Sequence, residues 1–517
     1  MPKVMINNLL RILFFVALVT SSSAKTNILL ITVDDMSCDS VGSFGCAIQD
    51  ITPNIDKLAK QGLRFKKAHV QVGNCYPSRN VMLSGRYPHT SKVEGFYQIK
   101  NIKYPVLCDL MKGGGYYTAI RGKVNHSTPY HPYDWDEDLT LLKDGKKAHM
   151  KDANTYYACT QRGIKNARSA NKPFFININI SDPHKPFWKP GDNHPTSKIY
   201  KANDVPVPGF LHDDPTIRKE LALYYSSVRR ADDCVGAIIK ALEESKALDS
   251  TVVFFLSDHG MPLPFAKTQL YHHSTNTPLI VSWPGVTKSG TINNSHMVSA
   301  IDLLPTFLDI AKIDEPKNLQ GRTFLPLIKG DKQNLRNVIF KEYNENAGGF
   351  RNPMRGVQTH QYLYLFNPWS NGKRTMATAT NGTATWKKML LLAKQNENIK
   401  KRVDVMRFRT TEELYDINKD PDCLHNLAQS KDHQNTIKSL RKTLQEWMKE
   451  TNDHALVSFD PNNSEVMEAY VQSKQLESDN RRKKNKKVIS LAKKVEKQSK
   501  IYKKQFSKCS NSFDKNR

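Results

Sequence analysis

The stretch NILLITVDD, residues 27–35, decides the architecture. Its first seven residues are a nearly unbroken apolar run rich in β-formers, the pattern of a strand covered on both faces in a parallel sheet. Asp34 and Asp35 follow at once. Carboxylates directly after a core strand fall at the C-terminal edge of an open α/β sheet, where ligands bind, and an adjacent pair suits a cation. An isolated Asp-Asp is equally at home in a solvated turn or a helix cap. The rest of the chain has to decide.

Three further runs repeat the theme of a core strand that ends in polar chemistry. Residues 116–120 lead into Arg121-Gly122-Lys123-Val124-Asn125-His126, and residues 174–180 (FFININI) into Ser181-Asp182-Pro183-His184-Lys185-Pro186-Phe187. Residues 251–256 (TVVFFL) lead into Ser257-Asp258-His259-Gly260. A Lys or His in a loop is ordinarily a surface residue; position after a core strand singles these out. Residues 279–282 read as another strand. A helix opens at Thr52-Pro53-Asn54, with Pro in its first turn, and closes near Gly62. A longer helix, 217–247, carries the stripe Leu221, Tyr225, Val228, Val235, Ile239 and Leu242, which suits a sheet face. Asp232 and Asp233 on it read as structural. From about residue 337 alternating runs such as YLYLF (362–366) predict antiparallel strands, followed by an amphipathic helix over 436–448.

After the first strand comes Cys75-Tyr76-Pro77-Ser78-Arg79, continuing as NVMLSGRYPHT to Thr90. A cysteine with Pro two residues on is by itself most often a buried thiol in a turn before a helix. The longer string resembles the type I sulfatase signature, C-x-P-S-R followed by x-x-x-L-x-G-R, at every fixed position. The likeness extends over residues 27–430, through T-P-N-I-D-x-L-A at 52–59, D-P-H at 182–184, D-H-G at 258–260, D-L-L-P-T at 302–306 and E-L-Y-D at 413–416. It implies an α/β fold, an alkaline-phosphatase-like, mostly parallel sheet sandwiched by helices, with a smaller C-terminal domain containing an antiparallel sheet. The implied divisions are a catalytic domain over 25–336, a C-terminal subdomain over 337–458 and a basic, flexible tail or loose helix over 459–517.

The resemblance also implies the chemistry. In this family the cysteine is oxidised before folding to formylglycine, which hydrates to a geminal diol. One hydroxyl attacks sulfur; the other then lets the carbonyl reform and expel sulfate, a covalent route with an activated nucleophile. Carried onto this chain, Cys75 is that residue and Arg79 holds the diol and its neighbouring carboxylates. Lys123 and Lys267 contact sulfate oxygens, His126 the sulfate or leaving group, and His184 the leaving group. Asp34, Asp35, Asp258, His259 and the oxygen on Cys75 hold one cation, calcium. The partner implied is a formylglycine-generating or anaerobic sulfatase-maturating enzyme. GKVNH (122–126) and DHG resemble iduronate sulfatases, whereas MPLPFAKTQLY (261–271) resembles heparan N-sulfatases.

Composition bounds these expectations. A chain of 517 residues with 39% apolar composition can bury the cores of two domains. Of the formal net charge of +27, about half lies in residues 481–517, where fifteen Lys/Arg face Glu496 and Asp514. The basic body suits an anionic substrate; no zinc finger, aromatic-basic RNA module or helix-turn-helix pattern accompanies it, which argues against nucleic acid. Eight cysteines are too few for a disulfide scaffold. Cys38 and Cys46 are near enough to bridge, though nothing in the sequence establishes the pair. Residues 1–24 read as a signal peptide, with Lys3 and Arg11, an apolar run over 12–19 and Ser22-Ser23-Ala24, so the expected location is secreted or periplasmic. No later run approaches the ~20 apolar residues that span a bilayer.

The expected substrate is a sulfated polysaccharide or its oligosaccharides, an algal polymer such as ulvan first, with glycosaminoglycan (heparan) N- or O-desulfation second. His131, His272 and His273 are candidates for sugar contact. Two other classes compete with this reading. A phosphatase or phosphodiesterase of the same superfamily uses Ser/Thr with two zinc ions, and its extra His/Asp motifs are missing. A non-catalytic polyanion binder is expected to have lost motifs, and none is lost.

Overall fold

The computed structural model describes residues 25–513 apart from 132 and 143. The signal-peptide expectation, on residues 1–24, lies outside them. β1 (Asn27–Asp34) runs through the middle of an eight-stranded sheet, parallel to β6 (Phe174–Pro183) on one side and β7 (Thr251–Ser257) on the other. Beyond β6 lie β4 (Tyr117–Arg121) and β5 (Glu137–Asp138), both parallel. Beyond β7 come β8 (Leu279–Ser282), antiparallel to both its neighbours, then β2 (Leu63–Phe65) and β9 (Thr291–Asn293). A two-stranded patch pairs β3 (Ala68–His69) with β10 (Val298–Ser299).

The alternation of side chains along β1 feeds two cores. Leu29, Ile31 and Val33 join one layer with Tyr156 and Ile164 of the Ala153–Ser169 helix and Leu221, Val228 and Val235 of the Pro215–Glu244 helix. Ile28 and Leu30 join the other with Met111, Leu304 and Phe307 from the Leu107–Gly113 and Leu303–Ala311 helices. A strand buried on both faces has no polar side, which is why its sequence reads as an unbroken apolar run. Asp232 accepts from the backbone N–H of Asn54 and Ile55 at 3.2 and 2.8 Å, capping the Pro53–Gln61 helix; its role is structural.

A second sheet is antiparallel throughout, in the order β11 (Val338–Glu345), β12 (Arg351–Thr359), β13 (Tyr362–Phe366), β14 (Glu412–Asp416). The Gln434–Glu450 helix packs on it. The fold is thus the expected mostly parallel sheet between helices with a smaller antiparallel sheet. One expectation needs correction. Residues from 464 form one helix, Ser464–Phe513, whose start is packed rather than flexible. Met467, Tyr470 and Val471 are buried, and Arg481 pairs with Glu345 at 2.5 Å while lying 3.7 Å from the centre of the Tyr97 ring. A short apolar stripe at i, i+3, i+4 was hidden in a polar, lysine-rich average. Cys38 and Cys46, whose pairing the sequence left open, are free thiols, as are Cys75, Cys108, Cys159, Cys234 and Cys423.

One buried cation in this second sheet gives a pH-dependent prediction. Lys341 on β11 is fully buried and donates to Gln358 Oε1, with no carboxylate in ion-pair range among the described residues. Burial pushes its ammonium down to about 7. An unfolded lysine titrates near ~10.4. Between those values the unfolded chain holds a proton that the folded chain does not, so this group destabilises increasingly as pH falls from about 10 to 7. Lys341→Met should therefore stabilise by about 1–3 kcal/mol at pH 7 and by less at pH 9. Urea unfolding of both proteins at the two pH values checks it; an equal difference at both would rule the charge out as the cause.

Candidate active site

The C-terminal ends of β4, β6, β1 and β7 meet on one edge of the sheet. Asp34 ends β1, and Asp35 follows with φ 70°, a left-handed conformation that is costly for a residue bearing a Cβ and brings the second carboxylate into the same cavity. Asp258, just after β7, donates its N–H to Val33 O at 3.1 Å and accepts from the Asp35 N–H at 3.0 Å. Lys123 follows β4, again left-handed at φ 48°. His184 follows β6 directly.

The Cys75–Ser84 helix faces these ends, with all ten of its residues buried. Gly85, the glycine of the signature, terminates it at φ 61° with its N–H on Val81 O, a left-handed cap that glycine adopts without a side-chain penalty. Ser78 Oγ donates to Asp258 O at 2.7 Å, tying the helix to the end of β7. One turn after Cys75, Arg79 spreads its fork: Nε donates to Asp258 Oδ2 at 3.0 Å, Nη2 to Asp34 Oδ1 at 3.4 Å and Nη1 to Asn179 Oδ1. His259 Nε2 lies 3.4 Å from Cys75 Sγ and 3.1 Å from Asp35 Oδ1. Lys267 Nζ bonds both Asp35 oxygens, at 2.6 and 2.7 Å, and Lys123 Nζ lies 2.5 Å from Asp34 Oδ2. His184 Nε2 stands 4.0 Å from Asp35 Oδ2. His126 joins through Tyr76, whose ring centre is 4.9 Å away. The nine other residues expected to act on sulfate or to hold the cation thus gather around Cys75.

The electrostatics are those of a densely paired, water-poor site. Burial works against the Asp34 carboxylate, yet Lys123, His184 and Arg79 hold it well below the usual range. Burial opposes Asp35 likewise, and Lys267, His184 and His259 hold it down. Asp258 goes the other way: burial, reinforced by Asp34 and Asp35, raises it despite Arg79. Burial pushes the Cys75 thiol up, so the unmodified side chain is neutral. Burial and then the Lys123 and Arg79 charges push His126 down to about 3, which leaves its imidazole neutral.

The donor set fits a hard divalent cation. One atom each of Asp34, Cys75, Asp258 and His259 lie within 4.8 Å of one another, and so do atoms of Asp35, Cys75 and His184. Asp34 Oδ2 accepts no hydrogen bond of normal geometry, its neighbour being the Lys123 ammonium. Three buried carboxylates in one cavity, one of them raised by burial and then by the other two, are what a dication relieves.

Two residues that sequence reasoning passed over hold this arrangement. Asn179, on β6, takes the Arg79 guanidinium on its oxygen and donates to Arg121 O and Gly122 O at 3.2 and 3.0 Å, so it orients both Arg79 and the turn that delivers Lys123. Lys151 donates to Asp182 Oδ1, His184 O and Pro186 O at 2.8, 2.9 and 2.6 Å, fixing the turn that carries His184. Neither lies in a motif, and their partners are up to 100 residues away in sequence. The three histidines proposed for sugar contact are differently placed. His272 faces Gln358 and His69, His273 lies 3.1 Å from Asp422, and His131 is exposed against Tyr133.

A buried cysteine at a helix start, ringed by cations over carboxylates at the edge of an alkaline-phosphatase-like sheet, suits a hydrolase of anionic esters. The chain belongs to the sulfatase family, whose pattern it matches over residues 26–313, and it is a sulfuric ester hydrolase. Residues 258–371 also match the family described as N-sulphoglucosamine sulphohydrolase, C-terminal. The chain is 29% identical to human N-sulphoglucosamine sulphohydrolase, over 83% of this chain and 90% of that protein. It is 24% identical to an ulvan-active sulfatase of Formosa agariphila, over 83% and 76%. Among solved structures, a 2-O GAG sulfatase superposes with a TM-score of 0.60 at 20% identity, covering 83% of this chain and 93% of that one; at that identity the likeness concerns the fold. Membership of the family implies a formylglycine and a metal ion.

Proposed function

We propose that this protein is an exported sulfatase that releases O-sulfate from a sulfated polysaccharide or its oligosaccharides, an algal polymer such as ulvan first. It works through a formylglycine made from Cys75 by a maturating enzyme, with one calcium ion held by Asp34, Asp35, Asp258 and His259. The observation that carries this reading is the gathering of Arg79, Lys123 and Lys267 with three buried carboxylates around Cys75 Sγ. Among the described residues no helix is long and apolar enough to cross a membrane.

Formylglycine supplies the nucleophile, and the cation adds positive charge against the sulfuryl oxygens. The chain's own residues do the rest. Arg79 presents a planar fork fixed on three sides, so it loses little freedom when it also contacts the nucleophile position. Lys123 and Lys267 offer ammonium groups already oriented by Asp34 and Asp35, in a site where exclusion of water strengthens them. His184 Nδ1 donates to Lys185 O at 2.6 Å, which fixes the tautomer and leaves Nε2 toward the cavity to exchange a proton with the leaving group. His126, neutral, contributes a hydrogen bond without adding charge.

A second reading is supported by a specific observation: the match of residues 258–371 to the N-sulphoglucosamine sulphohydrolase C-terminal pattern, which includes Lys267. That reading is removal of N-sulfate from glucosamine. Matured enzyme incubated with ulvan, carrageenan, fucoidan and heparan fragments, with free sulfate measured, separates the two. Release from ulvan oligosaccharides is the expected result. Release from N-sulfoglucosamine alone would reverse the order, and release from no glycan, with an aryl sulfate still cleaved, would end the glycan reading.

A further inference from the structure

Lys185 differs from the other cations of the pocket. Arg79, Lys123 and Lys267 each contact a buried carboxylate. Lys185 is half-buried, and among the described residues no hydrogen-bond acceptor or carboxylate is in contact with its ammonium. The charges that it faces are Lys267, Asp35 and Glu220. Both carboxylates are already engaged: Asp35 by Lys267 and His259, and Glu220 by the backbone N–H groups of Ala384 and Thr385 at 3.1 and 2.6 Å.

The backbone that presents this side chain is held on both sides. Lys151 grips His184 O and Pro186 O, and His184 Nδ1 bonds the carbonyl of Lys185 itself. Lys151 is anchored in turn on Asp182, which Arg230 holds at 2.6 Å. The turn stands beside the reacting centre, since His184 Nε2 is 4.0 Å from Asp35 Oδ2. An ammonium partly withdrawn from water, whose nearby carboxylates are both engaged by other donors, costs stability. Held on a rigid turn at the mouth of a site that binds anions, it is completed by an anion that arrives with the substrate.

We propose that Lys185 determines specificity by receiving a second anionic group of the substrate, a carboxylate or a further sulfate on the sugar that bears the scissile sulfate or on the adjoining one. This rests on the sulfated-glycan reading above. Under it, the preferred substrates are dianions, and Lys267 and Lys185 divide the two charges between them.

The test compares matured wild-type enzyme with Lys185→Gln and Lys185→Arg on four probes: 4-nitrophenyl sulfate, a galactose monosulfate, a sulfated uronate-containing disaccharide from ulvan, and N,6-O-disulfated glucosamine. For Lys185→Gln, KM on a dianionic probe should rise about tenfold or more beyond any change on the two monoanions, the worth of one charge-assisted contact. Lys185→Arg should recover most of it. Loss confined to the uronate names a carboxylate as the partner; loss confined to the disulfated sugar names a sulfate. Inhibition of 4-nitrophenyl sulfate turnover by the same dianions reads the contact even where they are not cleaved, so failure of the glycan reading and failure of this inference remain distinguishable. Equal losses on all four probes, or unchanged KM and inhibition constants for both dianions, would overturn it.

Discussion

Cys75→Ala should abolish sulfate ester hydrolysis, by at least about 10⁴-fold, while leaving the fold in place. The helix that carries the residue is fastened by other groups: Ser78 to the carbonyl of Asp258, and Arg79 to Asp34, Asp258 and Asn179. Alanine keeps the Cβ and the helical backbone, so removal of one buried sulfur costs about 1 kcal/mol of stability. Only the nucleophile is lost. Cys75→Ser separates the two halves of the reaction, because a single hydroxyl can attack sulfur but has no second hydroxyl with which to expel the sulfate. A slow single turnover that leaves a sulfo group on the substituted side chain, detected by peptide mass, is the expected outcome. Full activity of the alanine variant, or of protein whose residue 75 weighs as an unmodified thiol, would sink the formylglycine mechanism. The neutral thiol of the structure makes the second case a sharp one, since a buried thiol raised by its surroundings is a poor nucleophile in its own right.

Much of this geometry was legible in the chain because parallel strands buried on both faces leave a plain record. The runs at 27–33, 174–180 and 251–256 reappear as β1, β6 and β7, and each strand ends where its apolar run meets charge. The residues that these ends carry could then be expected on one edge of one sheet. What the sequence did not disclose depends on contacts between distant segments. Asn179 looks like one more residue of FFININI, yet its side chain is held by Arg79 and by two carbonyls at the end of β4. Lys151 and Lys185 are two lysines in a lysine-rich chain; only the fold shows that one pins the carbonyls on either side of the other. The left-handed conformation of Asp35 has no glycine beside it to announce it, and at Gly122-Lys123 the left-handed run extends one residue past the glycine. The tail misled for the opposite reason: its charge is so high that the short stripe at Met467, Tyr470 and Val471 was averaged away.

Asp35→Ala should lose both the bound cation and the activity, the latter by about 10³-fold or more. Asp35 is fully buried, and both of its oxygens are taken by Lys267. Under the proposed reading it serves two partners: the cation, to which it brings charge, and Lys267, which it neutralises and aims. Its removal leaves an ammonium in a water-poor site with no counter-charge, a situation that costs about 3–5 kcal/mol when a buried pair is broken. A loss of activity alone could then reflect unfolding, so two further readouts are needed. Metal content of the purified protein should fall from one calcium per chain to none in Asp35→Ala and in the near-isosteric Asp35→Asn, while Lys267→Met keeps its calcium and loses affinity for sulfate. Combining Asp35→Asn with Lys267→Met should restore part of the stability lost in the single variant but none of the activity, because the uncompensated charge is gone and the cation is still absent. Retention of one calcium by Asp35→Asn would remove Asp35 from the ligand set. Two zinc ions in a fully active wild-type preparation would replace the one-calcium site with a binuclear one. In either case Asp35 would remain the partner of Lys267, and its variants would report on sulfate binding through that lysine alone.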